Sequence, residues 1–565
     1  MPQPQPFAGL AVLLRAWVGV LCLMLVSGCS TAPPRATGPV AVKVLAINDF
    51  HGNLLPPQGG IRIKDPADAT KTVNVAAGGA EYLATAVAQL RQKNPNHIFV
   101  AAGDLIGASP LLSALFRDEP TIQALSLMGL EASAVGNHEF DRGSAELLRM
   151  QHGGCHAVEG CKGPQPFAGA GFKYLAASTV DERTGSTLFP PYYVKTFEGI
   201  PVAFIGLTLK DTPTIVVPSG VQGLRFRDEA QTVNELVPQL RKLGIEAIVL
   251  LIHEGGFPSG DYNECPGISG AIVDIVNKLD AAVDLVVSGH THRAYNCRIG
   301  GRLVTSADKF GTIVSEIDLV LDPRTGDVIS ASANNVIVRN DRFAKDASQS
   351  SLIAAYEPLA APLAKRVVAR IGQALTRDET EAGEMRIGQV VADAQLAATR
   401  GAETGGAQLA LMNPGGLRAA LVPQANAEVR YEDLFAVQPF YNNLVTLTLS
   451  GAQLLQVLEQ QWLNQPRPRI LQVSSGFGYT WDAARPVGQR IVPGSVQLHG
   501  KVLEPQTNYR VTVNSFLAGG GDNFAALKLG RNARTGMMDV DAFEQYLAGP
   551  AALAPVAPER IRRLN

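Results

Sequence analysis

The stretch DLVVSGHTHRAYNC, residues 284–297, runs from an aliphatic segment straight into two histidines one residue apart. A β-branched run of this length reads as a buried strand, so Gly289-His290-Thr291-His292 falls where that strand meets the surface. One imidazole there is commonplace. Two on a tight loop point to a metal site, because the neutral ring nitrogen is a good ligand for borderline divalent cations.

Upstream the pattern repeats. The aliphatic runs VAVKVLAI, HIFVAA, ASAV, KYLAAS, PVAFIGL, AIVLLI and DLVVS are separated by polar loops. Between several of them lie amphipathic segments such as GGAEYLATAVAQLRQK and DEAQTVNELVPQLRKLG. Short apolar runs alternating with helices predict an α/β domain. RLVTSADKFGTIVSEIDLVLDPRTGDVIS is expected to close it as hairpins.

Five runs deliver polar residues at their C-terminal ends. VLAI leads to Asn48-Asp49-Phe50-His51-Gly52, FVAA to Gly103-Asp104, and SAV to Gly136-Asn137-His138-Glu139-Phe140-Asp141. VLLI leads to His253-Glu254, and LVVS to His290 and His292. That sheet edge is where ligands bind in open α/β folds. Five of the nine histidines sit in these loops. Each element alone has an ordinary explanation, since Asp and Asn cap helices and form turns. Together they supply carboxylate, imidazole and amide ligands for a pair of divalent cations, which a carboxylate must bridge to offset their repulsion.

The series DxHG, GD, GNHE, a later His and GHxH resembles the calcineurin-like metallophosphoesterases. The forms NDFHGN, GNHEFD and GHTH, with a C-terminal domain, resemble the bacterial secreted 5′-nucleotidase/UDP-sugar hydrolase family. The resemblance implies a metallophosphoesterase β-sandwich flanked by helices, a linker helix and a second α/β substrate-binding domain. It implies two divalent metal ions, zinc or manganese. Asp49, His51, Asp104 and His292 would hold one; Asp104, Asn137, His253 and His290 would hold the other, with Asp104 as the bridge. His138 and Asp141 would form a catalytic dyad, and the nucleophile would be a metal-bound water. In the second domain Asn413 and Arg418, in NPGGLRA, and Arg386, in GEMRIGQ, match polar and arginine positions that meet substrate oxygens. Phe440 and Phe516 match aromatics that sandwich a nucleobase, and Asp522, in GGGD, matches an acceptor of ribose hydroxyls. Pro414 and Tyr441 depart from the family pattern, both in places where glycine is usual. In relatives the second domain rotates to bring substrate to the metals, and the implied hinge lies near 345–370.

The N-terminus reads separately. LAVLLRAWVGVLCLMLVSGCS has signal-peptide length and ends in Val26-Ser27-Gly28-Cys29, which looks like a bacterial lipobox with Cys29 as the lipidated residue. The alternative is an uncleaved anchor. Export makes an even cysteine count read as disulfides. Cys155 and Cys161 would close a local loop, leaving Cys265 and Cys297 to pair; a thiolate zinc site lacks a paired CxxC. The formal net charge of −2 gives no electrostatic case for nucleic acid.

At 565 residues the chain exceeds one core. The expected organisation is a signal peptide over 1–29, a tether over 30–40, the metallophosphoesterase domain over 41–340, a linker helix over 341–370 and the second domain over 371–565. The expected activity is hydrolysis of nucleoside 5′-monophosphates, extending to nucleotide diphosphates or UDP-sugars, by a lipid-anchored envelope protein. The alternatives are a 2′,3′-cyclic nucleotide phosphodiesterase/3′-nucleotidase and a non-catalytic surface binding protein on the same fold. Composition leaves the oligomeric state open.

Overall fold

The computed structural model describes residues 36–549 and 559–565. Cys29 and the expected signal peptide lie outside the described residues. Two six-stranded sheets face each other in the first domain. One is ordered Val328–Ile337, Ile313–Leu321, Val40–Ile47, His97–Ala101, Ala132–Ala134, Lys173–Leu175, its last four strands parallel. The other is ordered Ala294–Ile299, Arg302–Ala307, Leu285–Ser288, Ala247–His253, Ile200–Thr208, Tyr192–Phe197, its middle four parallel.

The aliphatic runs are near-continuous because both faces of these strands are covered. Alternate residues point inward: Val42, Val44 and Ala46 of one sheet meet Val249, Leu251 and Val287 of the other. The opposite faces of the same strands lie under helices. Ala80–Arg91, Glu119–Leu127 and Ser144–His152 cover the first sheet, and Glu229–Lys242 and Ala271–Lys278 the second. Each such fully buried aliphatic side chain contributes about 1.5–3 kcal/mol. The result is the expected sandwich flanked by helices.

The 302–330 segment is in antiparallel hairpins as expected, but divided between the two sheets. Arg302–Ala307 pairs with Ala294–Ile299 in one sheet, whereas Ile313–Leu321 pairs with Val328–Ile337 in the other. Between them the chain crosses the sandwich through Asp308 and Phe310, both in the left-handed region (φ 58° each). The crossing serves the site, because Phe310 donates its N–H to the Asp49 carbonyl at 2.7 Å.

The helix Ala347–Ala364 fills most of the expected linker but is docked on the first domain. Tyr356 is buried, Gln349 Nε2 donates to the Ala124 carbonyl at 3.0 Å, and Lys345 pairs with Glu81 at 2.6 Å. Val367–Arg370 pairs with Glu428–Arg430 of the second domain, so the chain passes between domains at Lys365-Arg366. The second domain centres on a five-stranded sheet ordered Gln472–Val473, Leu409–Met412, Asn508–Asn514, Asn443–Ser450, Arg531–Met538. Helices Arg386–Thr399 and Asp539–Ala548 pack on one face, and Gly451–Glu459 on the other. Leu111 and Ala114 of the first domain join the former cluster, giving the domains a shared apolar contact.

Candidate metal centre and substrate cavity

Five strand ends converge. Asp49, His51, Asp104, His290 and His292 all take positive φ, between 46° and 68°. Asp and His are among the few non-glycine residues enriched there, and each such residue carries about 1–3 kcal/mol of backbone strain. The strain turns each side chain back toward a common point above the sheet edge. Gly136 is required by close approach: a Cβ there would lie 2.2 Å from Asp104 Oδ1.

Two ligand groups result, Asp49 with His51 and His292, and Asp104 with His253 and His290. Asp104 lies between them, Oδ2 being 3.6 Å from His51 Nε2 and 2.9 Å from His253 Nε2. The backbone fixes the tautomers. His51 Nδ1 donates to the Gly107 carbonyl at 2.8 Å and His253 Nδ1 to the Ala102 carbonyl at 2.7 Å. Both Nε2 atoms then carry lone pairs when the rings are neutral.

These residues fit divalent cations. His51 Nε2 and His292 Nε2 face each other at 3.1 Å. Asp49 Oδ1, Asn137 Oδ1 and His253 Nε2 are buried without an aligned hydrogen-bond partner, although a buried polar atom left unpaired costs about 1–3 kcal/mol. Burial holds His51 and His292 well below the usual imidazole range and brings His290 to about 3, so all three present the neutral, ligating form. Burial acts the same way on His253, but the charges of Asp104 and Asp49 outweigh it and push it up to about 10. A cation on Nε2 would replace that proton.

Glu139, assigned no role from sequence although it sits inside GNHE, ties two of the loops together. Its carboxylate accepts the backbone N–H groups of Asp104 (3.0 Å), Leu105 (2.8 Å) and Gly136 (2.6 Å). Asn48 does the same for a third loop, receiving Ala307 N at 2.7 Å and donating to Asp49 Oδ2 at 2.7 Å. His138 Nδ1 meets Asp141 Oδ2 at 2.8 Å, one turn apart. Burial opposes charge on His138; the carboxylates of Asp141 and Asp104 outweigh it and raise the imidazole.

The second domain closes a cavity of ≈ 1030 Å³ over this centre, lined by Asn413, Arg418, Phe440, Phe516 and Asp522. The Arg418 guanidinium stands 5.9 Å over the Phe440 ring, which itself stacks on His138 at 5.7 Å. Asn413 Nδ2 donates to Asp522 Oδ2 at 2.7 Å, and Asn514 Nδ2 to Asn413 Oδ1 at 2.9 Å. Arg386 does not reach the cavity. It is the first residue of its helix, and its Nη1 turns to Gln389 Oε1 at 3.2 Å. Met385, the extended residue just before the helix, does line the cavity. Arg377, nine residues earlier in LTRDET, does line the cavity, its Nη1 donating to the Arg418 carbonyl at 3.2 Å. Both expected disulfides form, Cys155–Cys161 and Cys265–Cys297.

Residues 42–294 match the calcineurin-like phosphoesterase family and residues 364–529 the 5′-nucleotidase C-terminal domain. Endonuclease YhcR of Bacillus subtilis is 31% identical over 520 residues, 91% of this chain but only 40% of that protein. The cell wall protein Lmo0130 of Listeria monocytogenes is 32% identical over 93% of this chain and 69% of its own length. The crystal structure of a 5′-nucleotidase precursor from Thermus thermophilus superposes with a TM-score of 0.75 at 26% identity, covering 93% of this chain and all of that one. Fold and site together define a metal-dependent phosphoric ester hydrolase of the calcineurin-like class. Within that class the chain belongs to the 5′-nucleotidase family.

Proposed function

We propose that the protein is an exported, two-metal hydrolase that releases phosphate from nucleoside 5′-monophosphates, extending to nucleotide diphosphates or UDP-sugars. One observation carries this reading: both ligand groups open into the same cavity as Arg418, Phe440 and Phe516. A guanidinium meets two phosphoryl oxygens at once, and base–aromatic stacking is worth about 1–3 kcal/mol while tolerating different bases. Asp49, His51, Asp104 and His292 would hold one cation and Asp104, Asn137, His253 and His290 the other. When bound, such ions neutralise phosphoryl charge and lower the pKa of coordinated water.

The chain's own groups do the rest. Arg418, within the electrostatic reach of Asp49, Asp104 and Asp141, orients the phosphoryl group toward the first domain. His138, its Nδ1 proton held by Asp141, keeps Nε2–H to donate to a phosphoryl or leaving oxygen as charge builds there. Export is supported by the two disulfides, which persist in oxidising compartments. Among the described residues no helix is long and apolar enough to cross a membrane; attachment would rest on a lipid at Cys29.

The test is a nucleotide panel run against Zn, Mn, Mg and Co on protein beginning at residue 36. AMP should be turned over, and Asp104→Asn should lower kcat by about a thousandfold or more, the scale lost when one preorganised charge-stabilising group is removed. Absence of AMP turnover with every metal, or faster hydrolysis of 2′,3′-cyclic AMP, would overturn the assignment.

A further inference from the structure

The cavity wall carries as many Asp and Glu as Lys and Arg side chains, so any surplus of positive charge is local. Beyond Arg418, the segment Asn464-Gln465-Pro466-Arg467-Pro468-Arg469 places two further arginines on its wall. Two prolines fix φ there and stiffen the loop. Its ends are tied down: Gln465 Nε2 donates to the Asp522 carbonyl at 2.7 Å, Asn523 Nδ2 to the Asn464 carbonyl at 3.0 Å, and Arg469 N to the Gln461 carbonyl at 2.8 Å. The arginines are therefore presented on a preorganised strap.

Their partners are incomplete. Arg469 pairs with Asp522 Oδ1, while Asn413 occupies Oδ2. The acid expected to accept ribose hydroxyls is thus neutralised from one side and hydrogen-bonded on the other. Arg467 has no carboxylate within ion-pair distance among the described residues; it spans the domains to lie 5.5 Å over the Phe257 ring. Partial desolvation, with repulsion from Arg467, brings Arg469 down to about 10, and Arg377 is lowered likewise by desolvation, Arg418 and Arg467. Three guanidiniums crowd together, with the Asp522 carboxylate paired to Arg469 and the charge of Glu379 acting on Arg377.

The position of this charge matters. Gly521, beside Asp522, lies against the Phe516 ring, whereas Phe440 and Arg418 lie at His138 and the metal centre. With a 5′-phosphate at the metals and a base at Phe516, the ribose would lie between, at Asp522, with Arg469 paired to that acid and Arg467 next to Arg469 on the same strap.

We propose that Arg467 and Arg469 form a second anion subsite for a 5′-nucleotide whose ribose carries another phosphoester. This deepens, and rests on, the 5′-nucleotidase reading. The shared chemistry is a phosphate on the ribose, as a terminal monoester in a nucleoside 3′,5′-bisphosphate or as a diester in a 5′-phosphorylated oligonucleotide. Hydrolysis forms one P–O bond to water and breaks the P–O5′ bond, the leaving oxygen taking a proton. The second phosphoester departs unchanged with the product.

Steady-state kinetics on the metal-loaded protein test this with AMP, ADP, adenosine 3′,5′-bisphosphate and the 5′-phosphorylated dinucleotide pApA. Adenosine 3′,5′-bisphosphate should exceed AMP in kcat/KM by about tenfold, mostly through KM, since hydrogen bonds to charged groups add about 1.5–3 kcal/mol. A matching gain for pApA identifies the diester source, and a gain for the bisphosphate alone the monoester. The exposed Arg467 allows substitution without a buried vacancy. Arg467→Ala should bring the bisphosphate-to-AMP ratio to about one, Arg467→Glu below one, and Arg467→Lys should keep part of it. The inference fails if AMP is hydrolysed with no advantage for either ribose phosphoester, if ADP gains as much, or if Arg467→Glu leaves the ratio intact. Hydrolysis of no 5′-nucleotide overturns the functional reading along with it.

Discussion

At the scale of single residues, the site depends on side chains that never touch substrate. Glu139 accepts three backbone N–H groups from the loops carrying Asp104 and Asn137. Burial and the nearby charge of Asp104 push its carboxyl up to about 8, against the pull of those donors. Glu139→Gln turns one acceptor oxygen into a donor facing N–H groups. Its expected cost is about 1–3 kcal/mol in denaturant unfolding, with metal content per chain reduced. The dyad gives a contrasting outcome. His138→Asn should lower kcat by about 10²–10⁴, the usual reach of a general acid, while metal content by elemental analysis stays at the native level. These residues differ in legibility. Asp, His and Asn at five strand ends can be read because their types ligate metals. Glu139 stood in the same motif, yet its partners are backbone groups 34 and 35 residues away, which no local pattern displays. Arg377 lies in the irregular segment before the helix that Arg386 opens, and its place on the cavity wall is set by packing that no local pattern displays.

At the scale of elements, the helix Asp539–Ala548 begins with a buried acid. Asp539 receives Val540 N at 2.8 Å, but burial dominates and pushes its carboxyl up to about 7. The folded state therefore holds a proton that the unfolded chain releases near 3.8. The associated stability is full below about pH 4 and is lost as pH rises toward 7. Asp539→Asn keeps the acceptor without the charge. Its Tm advantage over the native protein should be absent near pH 4, grow through pH 7 and reach several degrees at pH 8 in thermal scans. The Cys265–Cys297 bridge closes a sequence separation of 32 residues between the loop after Phe257 and the strand following His292. Loop-closure entropy assigns it about 3–4 kcal/mol. The Cys265→Ser/Cys297→Ser double variant should lose stability on that scale, and reductant should then cost it only what the remaining Cys155–Cys161 bridge contributes.

At the scale of the molecule, the inter-domain contacts include two arginine–aromatic pairs, Arg142 over Tyr441 at 5.5 Å and, on the cavity wall, Arg467 over Phe257 at 5.5 Å. Tyr441, at positive φ, also packs on Phe435. Where relatives usually have glycine, this side chain anchors the second domain beside His138. Tyr441→Gly removes the contact and relieves the backbone. Small-angle scattering should then show a larger radius of gyration, with kcat and KM changing together as for a hinge or docking variant.

The sequence by itself determined the order of strands and helices, the two-domain plan and the kinds of atom gathered at one sheet edge. Those follow from local periodicity and residue chemistry, which neighbouring positions carry. Tertiary structure alone decided the rest. It set the crossing at Asp308–Phe310 between the sheets, the docking of Ala347–Ala364 on the first domain and the pairing of Arg469 with Asp522. It also placed Arg377 on the cavity wall. Each joins groups far apart in the chain or turns on a side chain's direction, and those are fixed only when the whole core packs.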